Sequence, residues 1–191
     1  MPGTLPYAGK GANLIILSRI IFVLEAVVDF SGRLAAWTCV FLVVLVSASV
    51  FARYFLSYGT MWLQELEWHL LSPIAMLGMS YSLLKGDQVR VDVLHERMSP
   101  RQKIMMEIVT GLLLVLFSLI MIRLSWPFVM QAYQHGEGSP NPGGLPHRFL
   151  LKAFMPIGFG LLAVQGVCHT LKQVVAWQAL TSSQGGAHVA Q

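Results

Sequence analysis

Residues 62–92 read WLQELEWHLLSPIAMLGMSYSLLKGDQVRVD. Two acids, Glu65 and Glu67, stand among aromatics at the start, and a cluster of mixed charge, Lys85, Asp87, Arg90 and Asp92, closes the stretch. Between them, residues 68–84 carry no formal charge. A helix on a water-soluble domain keeps a polar stripe along its length. Here polarity sits at the two ends, which is the pattern of a helix crossing lipid.

Composition extends that reading to the whole chain. Of 191 residues, 55% are hydrophobic and 12% charged, and the mean hydropathy is +0.62. Soluble domains devote about a quarter of their residues to charge, so an all-α integral membrane protein is expected, as one compact unit. The net charge of +4 could suit nucleic acid, but the basic residues form no concentrated face. In a membrane protein, lysine and arginine instead mark the cytoplasmic side. Cys39 and Cys168 fall near the ends of apolar segments assigned below to that side, where a disulfide is unusual, so packing is their expected role. Arg19 interrupts the first apolar run and no small-residue cleavage site follows, so no secretory signal is expected.

Around the opening stretch, the chain divides into a tail at 1–13, a single helical membrane domain at 14–177 and a disordered tail at 178–191. Residues 14–32 are apolar but place Ser18, Glu25, Asp29 and Gly32 on one helical face. This predicts an amphipathic helix that lies at the interface or against a neighbouring helix rather than spanning. Four spans are expected, at about 34–55, 63–85, 101–133 and 149–176, each long enough for a hydrocarbon core of about 30 Å. A short cytoplasmic interfacial helix is expected after Asp92, ending at Ser99-Pro100, where Ser99 is a natural N-cap and Pro100 a first helical residue. Small residues recur on one face of the second span (Ser72, Ala75, Gly78, Ser82) and in the fourth (Gly158, Gly160, Ala163, Gly166), offering surfaces for close helix approach. Residues 134–148 hold three prolines and several glycines and cannot continue a helix.

Basic residues set the orientation. Lys10, Arg19 and Arg33 precede the first span, Lys85, Arg90, Arg97, Arg101 and Lys103 lie between the second and third, and Lys172 follows the fourth. The other side holds Arg53, Arg148, Lys152 and Arg123. The excess predicts both termini in the cytoplasm of a multi-pass protein in the bacterial inner membrane.

Arg53, Glu65 and Glu67 would then share the outer end of a short hairpin, where an acid facing lipid is expensive and needs either Arg53 or a partner protein. Glu65 and His69, one turn apart, could also hydrogen-bond. Histidines near both faces raise the alternative of a haem-bearing membrane anchor of a respiratory enzyme. Against it, only His69 and His169 lie in or beside spans, on opposite sides. The sequence has no phosphate-binding glycine loop, no HExxH pair and no buried acid cluster for ion coupling. It is not expected to be an enzyme, and no catalytic, cofactor or metal residue is assigned. The spans also lack the midplane polar groups of a self-sufficient transporter, so the chain reads as an accessory subunit.

The pieces FARYFL (51–56), WLQELEWHLL (62–71), LGMSYSLLKGDQVRVDVL (77–94), MSPRQK (98–103) and LPHRFLLKAFMPIGFGLLAVQGV (145–167), in this order, resemble the small membrane subunit of tripartite ATP-independent periplasmic (TRAP) transporters, the DctQ-like or Q component. The resemblance implies a non-catalytic subunit of a sodium-coupled, binding-protein-dependent importer of organic-acid type solutes. It would brace a large membrane subunit, the M component, which carries the sodium and solute sites, and help dock a periplasmic binding protein, the P component. Nucleic acid is not a partner, membrane lipid is, and no cofactor is expected in this chain. By position, Glu65 matches the family's acid after the outer tryptophan, here Trp62, and Arg53 its arginine closing the first span. Lys85, Gly86, Arg90 and Asp92 match its basic-Gly…Val-x-Val-Asp turn, with Gln88 where many members have histidine. Arg53, Trp62, Glu65, Glu67, Lys85, Arg90 and Asp92 are therefore the expected partner-interface or structural ion-pair residues.

Overall fold

The computed structural model describes residues 12–86 and 98–187, which are helical apart from short connections, with no strand among them. The helices are α1 (Ala12–Phe55), α2 (Met61–Lys85), α3 (Pro100–Gln134) and α4 (Phe149–Ala187). Three stretches, Leu17–Phe55, Pro100–Gln134 and Phe149–Gln178, are long and apolar enough to cross a membrane. α2 is not among them. Its 25 residues reach about 37 Å, so length is sufficient. What it lacks is hydropathy, diluted by Glu65, Glu67, His69, Ser72, Pro73, Ser80 and Ser82. Length and composition thus support three of the four expected spans.

The amphipathic helix expected as a separate N-terminal element is instead the first half of α1, which runs unbroken for 44 residues. No proline lies between Asp29 and Leu34, and the one glycine there serves a contact. A Cβ on Gly32 would stand 2.0 Å from the Tyr81 ring on α2. Of the two placements expected for this segment, packing against neighbouring helices holds. Asp29 meets Lys85 of α2 at 2.8 Å, and Glu25 pairs with Lys172 of α4.

α4 continues to Ala187, past the boundary at 177 where a disordered tail was expected. No glycine or proline occurs at 178–184 to stop it. At the start of α3 the predicted cap forms: the Ser99 hydroxyl accepts from the Gln102 N–H at 3.4 Å, and the Gln102 side chain accepts from the Ser99 N–H at 2.9 Å, with Pro100 following. The short interfacial helix expected after Asp92 lies outside the described residues.

α4 is the central element. It packs along α3 on one side and α2 on the other, and α2 packs along α1. The order α1–α2–α4–α3 makes an open arrangement with α1 and α3 at its edges, α1 also touching α4 over a shorter stretch. Their buried seams are narrow. α3 buries Gly111, Ser118, Ser125 and Ala132, one every seven residues, and α1 buries Ile21, Val28, Ala35 and Ser49 at multiples of seven, with Ser31 and Gly32 buried beside them. A seven-residue period keeps one line of each helix facing its neighbour, as in a coiled coil.

The seams are small-sided for a physical reason. Lipid is as apolar as leucine, so membrane helices gain by close approach rather than by hiding apolar surface from water. A Cβ on Gly111 would lie 2.3 Å from the Thr170 hydroxyl, and one on Gly158 would lie 2.6 Å from Met76 Cβ. The buried serines satisfy their own hydroxyls: Ser118 donates to the Leu114 carbonyl at 2.8 Å and Ser125 to that of Met121 at 2.6 Å. Leu83, Phe159 and Leu162 form the apolar centre, with Met76, Met79, Leu114, Met121 and Ile122 around them.

Not all the small residues singled out from spacing are used. On α2, Ala75 is exposed and Gly78 faces open space, while Pro73, Leu77, Ser80 and Leu83 are buried. On α4, Gly158 and Gly166 touch neighbours but Gly160 touches none. Gly111→Leu is accordingly expected to lower stability by about 1–3 kcal/mol through overpacking, read as a lower melting temperature in detergent. Gly160→Ala, with nothing within 4 Å of the added Cβ, should leave that temperature unchanged.

Candidate functional site

The connection between α3 and α4, residues 135–148, folds back onto the start of α2. Its glycines and prolines prevent a helix, and three backbone hydrogen bonds replace it. Arg148 N–H donates to the Glu137 carbonyl at 3.0 Å, Ser139 N–H to Leu145 at 3.1 Å, and Gly144 N–H to Asn141 at 3.1 Å. Gly136 and Gly143 adopt φ of 57° and 74°, a region glycine enters without steric cost.

This folding aims three donors at one carboxylate. Glu65 accepts from the Ser139 hydroxyl, from Asn141 Nδ2 at 3.1 Å and from the Leu145 N–H at 2.7 Å. Charge-assisted bonds of this kind are stronger than neutral ones. At Gly144 a Cβ would stand 2.3 Å from Ser139 Oγ and 2.7 Å from Glu65 Oε2, so a side chain there would push into the same cluster. Around it, Glu137 pairs with Lys152, whose Nζ lies 3.9 Å from the centroid of the Phe128 ring on α3. The Ser72 hydroxyl donates to the Leu151 carbonyl at 3.2 Å. His69 Nδ1 donates to the backbone carbonyl of Glu65 at 2.7 Å rather than to its side chain, and its Nε2 is buried without a partner.

The residues expected from sequence divide between the two ends of the layer. Glu65 is held by the 135–148 loop, not by Arg53. Arg53 is exposed and makes no hydrogen bond or ion pair among the described residues. Trp62 is exposed and Glu67 half-buried at the same loop end. Lys85 is at the other end, where Asp29 receives both it and, at 2.7 Å, Arg33. Arg90 and Asp92 lie outside the described residues.

Two further contacts between charged or polar side chains join Lys85–Asp29 at that end. Glu25–Lys172 ties α1 to α4, and Glu107–His169, at 3.0 Å, ties α3 to α4. The partners Ser139, Asn141 and Leu145 carried no signal in the sequence, because more than 70 positions separate them from Glu65. Asp29 did carry one, through the helical face it shares with Glu25 and Gly32.

Chemically, the loop end offers polar surface around a satisfied carboxylate. Among the described residues, no three histidine, cysteine or acidic side chains converge as metal ligands. His69 and His169 sit at opposite ends of the layer, each with one ring nitrogen hydrogen-bonded within the chain. That geometry gives the haem-anchor alternative no support.

Glu65→Gln is expected to weaken the grip on the loop and speed proteolytic cleavage within residues 135–148 severalfold, while Glu67→Gln leaves the cleavage rate as it is. At the other end, Asp29→Lys or Lys85→Asp alone should lower the melting temperature in detergent. The double exchange, which restores opposite charges, should recover most of the loss.

Once this geometry is in view, comparison with known families adds the decisive finding. The family model described as "Tripartite ATP-independent periplasmic transporters, DctQ component" matches residues 42–176, from within α1 to deep in α4. No curated protein matches the chain.

Proposed function

The chain belongs to the DctQ family of tripartite ATP-independent periplasmic transporters, and from that premise we propose that it is the small, non-catalytic membrane subunit of a sodium-coupled importer fed by a periplasmic binding protein. The solute is of organic-acid type. The chain braces the large membrane subunit, which holds the sodium and solute sites, and itself carries no cofactor.

The family match carries this reading, and the exposed apolar surface supports it. Only 11% of the most apolar window of α1, and 11% of that of α3, is buried within the chain, against 33% in α4. Such faces suit lipid and a second membrane protein. Ionisable groups with interhelical partners lie at the ends of the layer, which suits a scaffold better than a pathway for ions.

We place the protein in the bacterial inner membrane with four spans and both termini cytoplasmic. α2 crosses despite its modest hydropathy, because α1 and α4 flank it. The excess of lysine and arginine at the end bearing Asp29 and Lys85 favours the cytoplasm there. The 56–60 connection and the 135–148 loop then face the periplasm, where they help receive the binding protein. Arg53, without an ion pair among the described residues, is the natural contact for an acid on a partner.

In liposomes holding all three components, Arg53→Glu is expected to slow solute uptake while leaving the preference among solutes unchanged. A changed preference, or uptake by this chain alone, would contradict the bracing role.

A further inference from the structure

On the side of the 135–148 loop, residues of α2, α3, α4 and the loop line an open groove of about 520 Å³. That size lies within the roughly 300–1,000 Å³ of sites that hold small ligands. Trp68 and Met76 of α2 form one wall, Phe128 of α3 the other, and Met155 of α4 part of the floor. Arg148 and Lys152 stand at the loop end of the same groove.

The two cations differ in what they already hold. Lys152 is engaged by Glu137 and the Phe128 ring, but an ammonium has three donors and one acid does not exhaust them. Arg148 is half-buried and makes no hydrogen bond or ion pair among the described residues, although its charge acts on the nearby Glu65 carboxylate. The acids there are committed, Glu65 to its three loop donors and Glu137, which itself lines the groove, to Lys152. An apolar trough closed at one end by a guanidinium whose donors are unused among the described residues fits an amphiphile with a phosphate head, since arginine binds phosphate through paired donors.

We propose that this groove is a binding site for one membrane phospholipid, its phosphodiester held by Arg148 and Lys152 and an acyl chain lying between Trp68, Met76, Phe128 and Met155. The lipid fills the space where α2 and α3 fail to meet and so completes the packing of α4 at that end. The site rests on the membrane placement given above.

The full chain, purified with its partner subunits in mild detergent, can be titrated with phosphatidylethanolamine and phosphatidylglycerol and read by native mass spectrometry. The wild type is expected to retain one lipid. Arg148→Gln should retain about tenfold less, the scale of one charge-assisted hydrogen bond, whereas Arg53→Gln, an arginine at the same end but outside the groove, retains it fully. Met155→Trp, which fills the floor, should also lose the lipid while keeping its helix content by circular dichroism. Equal retention in wild type and Arg148→Gln overturns the site, as does equal loss in Arg53→Gln. Displacement by inorganic phosphate overturns it in favour of a free-anion site. Lipid retention that fails while the complex assembles and transports overturns this site alone and leaves the subunit's role intact.

Discussion

The close approach of α4 to its two neighbours is the constraint on which the rest of the structure depends. In a hydrocarbon medium, apolar side chains do not drive helices together as they do in water, so contact must come from shape. Gly158 against Met76 sets the α2 side, and Gly111 against Thr170 sets the α3 side. With both distances fixed, α4 becomes the spine, and the serines of the seams bond within their own helices. α1 attaches only to what this spine organises, through α2 and through Lys172.

Electrostatics then operate at the two ends and for different purposes. At one end, two interhelical ion pairs join α1 to α2 and α1 to α4, and a hydrogen bond between His169 and Glu107 joins α3 to α4. Exposed ion pairs contribute little individually, but these fix the relative height of helices that small-sided seams alone would allow to slide. At the other end no interhelical ion pair is made by Glu65. It organises a loop instead, and that loop carries Arg148 and Glu137 into position over the groove.

Much of this was legible in the sequence, and the parts that were not share a cause. The all-helical class and the Ser99 cap follow from local rules, since the residues involved are neighbours in the chain. The face shared by Glu25, Asp29 and Gly32 was readable from helical spacing, and the structure turns it toward α2 and α4. Spacing could not tell which small residues would be used, because Gly78 and Gly158 look alike until a neighbouring helix selects one of them. The partner of Glu65 was hidden by distance along the chain: Arg53 lay nearer in sequence, but the loop arrives from beyond α3. Even the break expected between the amphipathic segment and the first span rested on that polar face alone, as no residue there stops a helix.

The continuity of α1 has a consequence for how this chain can tolerate change in length. Along a single rod, each residue advances the azimuth by about 100°, so one inserted amino acid near position 33 would turn everything on one side of it away from its mate. Asp29 and Ser49 could not both keep their present facing. Seven added residues would very nearly restore the phase, at the expense of a rod about 10 Å longer. The tolerated spacings between the two halves of α1 are therefore quantised, as though the helix were a keyed shaft.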